Sequence, residues 1–164
     1  MIRFLLAVVA VVLASTSFSI EARTRTVYLY NIDVDRHLYT AGQYRSIQWN
    51  FQPLAWGRSE GNFRERWLLE PAGNGWFVLR SGFAGRLLTV NRSTLWSNTT
   101  FVGTHPRFDG PHFRSEQLWK LQNGRVESAT GECLVARWVN GIAVPAIGAC
   151  NTTPAARWVY HYLT

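Results

Sequence analysis

Lysine is nearly absent from this 164-residue chain: Lys120 is the single one, and arginine supplies the rest of the seventeen basic residues. Acids are few as well, ten against those seventeen, which leaves a formal net charge of +7. The arginines stand singly, with no run of four, so no specific nucleic-acid interface is expected. The positive balance suits acidic partners, whether anionic glycans, phospholipid head groups or nucleic acid, and does not choose among them. The arginine skew fits codon bias as well as function. Long apolar runs are missing too, with one exception at the start. There Arg3 precedes the eleven apolar residues Phe4 to Ala14, and small residues follow over Ser15-Thr16-Ser17-Phe18-Ser19. That order reads as an export signal over residues 1–22, cut after Ser19 or Ala22. The alternative is a retained anchor, against which the run is shorter than the ~20 residues a spanning helix needs. A mature chain of about 142 to 145 residues suits one domain, residues 23–164, in a secreted, extracellular protein with no transmembrane segment.

Catalytic signatures are also missing. The mature acids (Asp33, Asp35, Glu60, Glu65, Glu70, Asp109, Glu116, Glu127 and Glu132) form no paired motif, and no Gly-x-Ser-x-Gly elbow, His-Glu-x-x-His or phosphate-cradling loop occurs. His105, Asp109 and His112 share a loop and are usual zinc donors, but their spacing matches no metal signature. A protein that binds, rather than an enzyme, is expected, with no metal and no cofactor. Cysteine is limited to Cys133 and Cys150, which in an exported chain reads as one disulfide; two free thiols are the alternative. The bridge would close a loop worth about 3 kcal/mol on the chain-entropy estimate.

Helical periodicity is absent from the mature chain. Short β-branched and aromatic runs alternate with Gly, Pro, Asn and Ser, giving twelve candidate strands, an all-β sandwich or barrel. The third of them is expected at Ile47–Phe51. The chain is rich in tryptophan, eight in all, and a small domain struggles to hide so many.

Three segments then repeat one order: a turn, a Leu-containing strand, a loop and a Trp. They are Asp35-Arg36-His37-Leu38 leading to Arg66-Trp67, Gly85-Arg86-Leu87-Leu88 leading to Gln117-Leu118-Trp119, and Gly131-Glu132-Cys133-Leu134 leading to Arg157-Trp158. The tryptophans fall 52 and 39 residues apart. Three four-stranded units of this size resemble a β-trefoil. Gln117-Leu118-Trp119, with Gly131-Glu132-Cys133-Leu134 and Cys150, is similar to the ricin B-type trefoil family, a lectin-like group. The resemblance implies that Trp67, Trp119 and Trp158 are core residues. It does not carry the family's galactose site with it. The positions where that family holds its sugar-binding Asp are Tyr39, Thr89 and Val135 here, and its Asn positions are Arg64, Glu116 and Ala155. Looser similarity links Leu54-Ala55-Trp56-Gly57 and Cys133-Leu134-Val135-Ala136 to the trefoil A and C binding subunits of cytolethal distending toxins.

Binding would then fall to other aromatics. The loop from Gly42 to Arg64 carries Trp49, Phe51, Trp56 and Phe63 among Arg45, Arg58 and Arg64, and Trp56 sits in a stretch of turn composition. Exposure of Trp49, Trp56 and Arg58 would make a stacking patch; the alternative is that these rings plug the barrel. Arg137-Trp138-Val139-Asn140-Gly141 reads as a hairpin tip that carries Trp138 and Asn140 into solvent. The expected ligand is a cell-surface glycan or glycoprotein. The competing partners are other subunits of a toxin, or a host protein such as a protease. Asn91, Asn98 and Asn151 head N-glycosylation sequons if the source is eukaryotic.

Overall fold

A computed structural model describes residues 24–41, 52–58, 62–91, 101–106 and 114–163. The expected signal lies outside the described residues, as do Trp49, Asn98, Asp109 and His112. Twelve strands follow in three sets of four: β1 (Arg25–Asn31), β2 (Arg36–Thr40), β3 (Gln52–Gly57), β4 (Trp67–Gly73), β5 (Trp76–Ser81), β6 (Leu87–Asn91), β7 (Phe101–His105), β8 (Trp119–Gln122), β9 (Arg125–Ser128), β10 (Cys133–Val139), β11 (Ile142–Gly148) and β12 (Trp158–Leu163). A one-turn 3-10 helix precedes the last strand of each set, at Phe63–Glu65, Ser115–Gln117 and Pro154–Ala156.

All pairings are antiparallel. β12 pairs β1, β1 pairs β4, β4 pairs β5, β5 pairs β8 and β8 pairs β9. The ring closes where Trp158 N donates to Gly124 O at 2.8 Å and the Tyr160 hydroxyl donates to Arg125 O. The hairpins β2–β3, β6–β7 and β10–β11 cover one end, joined through β3 with β7 and β7 with β11. This is a β-trefoil.

Its threefold repeat is visible atom by atom. The indole N–H groups of Trp67, Trp119 and Trp158 donate to the carbonyls of Leu38, Leu88 and Leu134, at 3.1, 2.9 and 2.8 Å. Each of these rings is almost wholly buried, so its one polar atom needs a partner, and the same carbonyl of each unit supplies it. The turn residues that open the repeat, Asp35, Gly85 and Gly131, all have positive φ (57, 63 and 89°). Backbone N–H groups of Ile32, Gly82 and Ala129 reach the carbonyls of Arg157, Arg66 and Leu118 in the preceding unit, at 3.2, 2.8 and 2.9 Å. Every β1–β2-type turn is thereby pinned to its neighbour.

The Cys133–Cys150 disulfide is formed. The third strand lies at Gln52–Gly57, where Leu54 pairs Thr40 and Trp56 pairs Leu38 along β2; the expected strand at Ile47–Phe51 lies outside the described residues. Pro53 stands in that strand opposite Gly103. Turn composition misled here: the proline sits inside a ladder whose register is set by the buried Leu54.

Candidate binding surface

Of the positions where the resembling family keeps its sugar-binding Asp, Thr89 and Val135 are buried and Tyr39 is half-buried. The Gln117 amide is fully buried and donates to Thr89 Oγ1 at 3.1 Å and to Pro106 O at 3.0 Å. A Cβ on Gly148 would stand 3.1 Å from Val135, so β11 packs closely on β10 at this position. In the first unit the slot equivalent to Gln117 holds Glu65, buried, with His37 Nδ1 at 3.8 Å.

Of the two alternatives, exposure and packing, Trp56 shows packing. It is half-buried, not exposed: its indole N–H donates to Ala143 O at 3.0 Å, and its ring stacks on Trp158 at 5.9 Å and 24°. It packs against the core and ties the β2–β3 hairpin to β11. Arg58, two residues on, is exposed.

The β10–β11 hairpin behaves as expected. Asn140 and Gly141 have φ of 49 and 77°, the left-handed pair that a two-residue turn requires. Trp138 is 56% exposed beside this tip, and Asn140 is exposed on it. The ring is fixed from an unexpected side: its N–H donates to Asp33 Oδ2 at 2.8 Å, in the β1–β2 turn of the first unit. That turn is held by Asn31, whose Oδ1 accepts from Asp33 N and Val34 N while its amide reaches Ala155 O and Arg157 O. Trp138, Asn140 and Asp33 therefore form one surface across two units, an aromatic face flanked by an amide and a carboxylate. Val139 and Ile142 are cross-strand partners at the same tip, 44 and 67% exposed. Asp33 carried no signal in the sequence, being 105 residues from Trp138.

His105 is half-buried in β7, its Nδ1 2.9 Å from Pro106 O. Among the described residues, the grouping that could ligate a metal is Glu127 with Cys133 and Cys150, whose sulfurs are spent in the disulfide. Asn91 is half-buried at the end of β6. Asn151 is exposed, and its Oδ1 accepts from Thr153 N and Oγ1, just before the third 3-10 helix.

A second cluster lies at the junction of the first and second units. Phe63 and Phe83 pack at 5.2 Å between centroids, and the Arg64 guanidinium lies over Phe83 at 4.6 Å.

No family model matches the sequence, and no curated protein does. Three of the similar solved structures illustrate the likeness. A salivary protein of the Cysteine and Tryptophan-Rich family from Culex quinquefasciatus is 15% identical, with a TM-score of 0.65 over 84% of this chain and 93% of that one. The C-half of an earthworm R-type lectin, solved in complex with GalNAc, is 14% identical, with a TM-score of 0.60 over 85% of this chain and 99% of that one. A mosquitocidal holotoxin is 11% identical, with a TM-score of 0.67 over 87% of this chain but 18% of the toxin. At these identities the likeness establishes the trefoil fold. No helix among the described residues is long and apolar enough to cross a membrane.

Proposed function

We propose that this chain is a secreted, non-enzymatic module that binds a cell-surface glycan on the surface of Trp138, Asn140 and Asp33. The observation that carries the reading is the exposed Trp138 ring held by Asp33. A sugar presents an apolar face and a rim of hydroxyls. Trp138 offers a ring already oriented, so little side-chain entropy is lost on binding. Asp33 keeps a second carboxylate oxygen as acceptor, and Asn140 both donates and accepts. The R-type lectin among the similar structures and the salivary protein are consistent with glycan recognition and with export.

A second reading places a protein on the same tip, as in a toxin subunit or an effector that engages a host protein. Exposed Val139 and Ile142 favour it, because apolar side chains suit a protein interface better than a sugar.

A glycan array on the mature protein beside Trp138→Ala and Asp33→Ala variants tests the first reading. Defined glycans should be retained by the parent and lost, by about tenfold or more, in Trp138→Ala. A blank array, with one protein recovered by pull-down, would replace it with the second.

A further inference from the structure

An acid and a base are buried together in the first unit, where the other two units bury neutral side chains. His37 of β2 and Glu65 of the first 3-10 helix are 5% and 1% exposed, with His37 Nδ1 3.8 Å from Glu65 Oε2. Register marks the equivalents: His37, Leu87 and Cys133 lie opposite Gly57, His105 and Gly148. Leu87 goes with Gln117, and Cys133 with Ala156, and none of these four changes charge with pH, Cys133 being in the disulfide. The fold itself therefore does not require an ionisable pair at this place.

The pair lies at the seam where the last strand meets the first. The His37 ring meets Tyr28 and Tyr30 of β1 edge-on, at 6.0 and 5.3 Å between centroids, and His161 of β12 at 6.0 Å and 89°. His161 pairs Tyr28 along β1, and His37 pairs Tyr30. Among the described residues, Arg66, Asp35 and Arg36 also bear on the cluster. Arg66 Nε donates to the Tyr28 hydroxyl at 3.1 Å. Asp35 accepts from the Tyr30 hydroxyl and lies 3.5 Å from Arg36 Nη1. From β3 comes Gly57, which carries no charge.

This cluster is also the base of the turn that holds Trp138. Tyr30 and Asn31 end β1, Arg36 and His37 begin β2, and Asp33 lies between them with its carboxylate on the Trp138 N–H. We propose that His37, Glu65 and His161 form an acid-sensitive switch that governs the Trp138 surface. Histidine changes its charge between about pH 5 and pH 8. Near neutrality one carboxylate offsets one imidazolium; in mild acid it cannot offset two, and the two rings repel across the seam. The unfolded chain then takes up protons more readily than the folded one, so stability falls as pH falls. The push is felt first in the β1–β2 turn, where Asp33 loses its hold on Trp138, and a ligand bound near neutrality is released in acid. The release rests on the glycan reading of the Trp138 surface; the charge switch does not.

Urea unfolding of the mature protein at pH 7 and pH 5 tests the switch. The parent midpoint should fall as pH falls. Installing the second unit's pair, His37→Leu with Glu65→Gln, should remove most of that fall. His161→Gln, a change on the exposed side of the cluster, should remove part of it, and decides the matter if the double variant does not fold. The indole N–H resonance of Trp138, identified by its absence from Trp138→Phe, should move between pH 7 and pH 5 in the parent and stay in place in the double variant. On a glycan array probed at both pH values, binding by the parent should be about fivefold or more weaker in acid, and binding by the double variant equal at both. A parent midpoint that does not move, an equal fall in His161→Gln, or an unmoved Trp138 resonance would overturn the switch. An array that is blank at both pH values, or binding that survives Trp138→Ala, removes the glycan reading alone, and the urea and resonance results then judge the switch by themselves.

Discussion

Glu65, Gln117 and Ala156 fill one equivalent position in three units, each buried at the end of its 3-10 helix, with three different chemistries. Gln117 solves its burial with two hydrogen bonds and Ala156 has nothing to satisfy. Glu65 needs space, which Gly57 gives by lacking a side chain. Gly57→Ala is therefore expected to destabilise the fold by about 1 to 3 kcal/mol, because a buried carboxylate cannot retreat from the new methyl group. A chemical denaturation series checks it, and an unchanged midpoint would show that Glu65 has another place to go. Trp56 teaches a related lesson about reading single residues. Its neighbours Pro53, Ala55 and Gly57 suggest a turn, yet cross-strand pairing with Leu38 decides its place. Pairing with a strand beyond a long insertion is not written in local composition.

Among the elements, the β10–β11 hairpin is the one most fully anticipated. Its apolar strands, Asn140-Gly141 turn and two cysteines all agree, and agreement among local signals is what makes an element legible. The corresponding hairpins of the other two units have long connections in place of a two-residue turn, and there a strand runs through Pro53–Gly57, where composition suggests a turn. The disulfide belongs to this scale, since it fastens the start of β10 to the residues that follow β11. Replacing Cys133 and Cys150 together by Ala should cost about 3 kcal/mol, read as a lower urea midpoint with the same slope. Because Trp138 and Asn140 lie at the far end of the hairpin, glycan binding by the folded double variant should persist. Loss of binding without loss of structure would mean that the bridge sets the tip.

At the scale of the whole molecule, the repeated tryptophans made the trefoil legible, since each marks the same indole-to-carbonyl bond. What joins one unit to another was not. Asp33 meets Trp138, and Phe83 meets Arg64, through closure of the ring, and no short-range pattern encodes that meeting. Tyr160 belongs to the same closure: its hydroxyl donates to Arg125 O, and burial raises its phenol above the usual value of about 10. The neutral form is the one the fold stabilises, so this contribution is complete below pH 10 and is lost as pH rises through the raised value. Urea midpoints should fall from pH 9 to pH 11, and fall less in Tyr160→Phe, which at pH 7 is weaker by about 1 kcal/mol for the lost hydrogen bond. An equal alkaline loss in both proteins would assign it elsewhere. The pairing of β12 with β1 has a kinetic side too. The first strand formed waits for the last before its edge is covered, so the ring cannot close while the chain is still emerging. Until then β1 presents Val27 and Leu29 on an open edge, and the vulnerable interval in this protein's life is the time between making its first strand and making its twelfth.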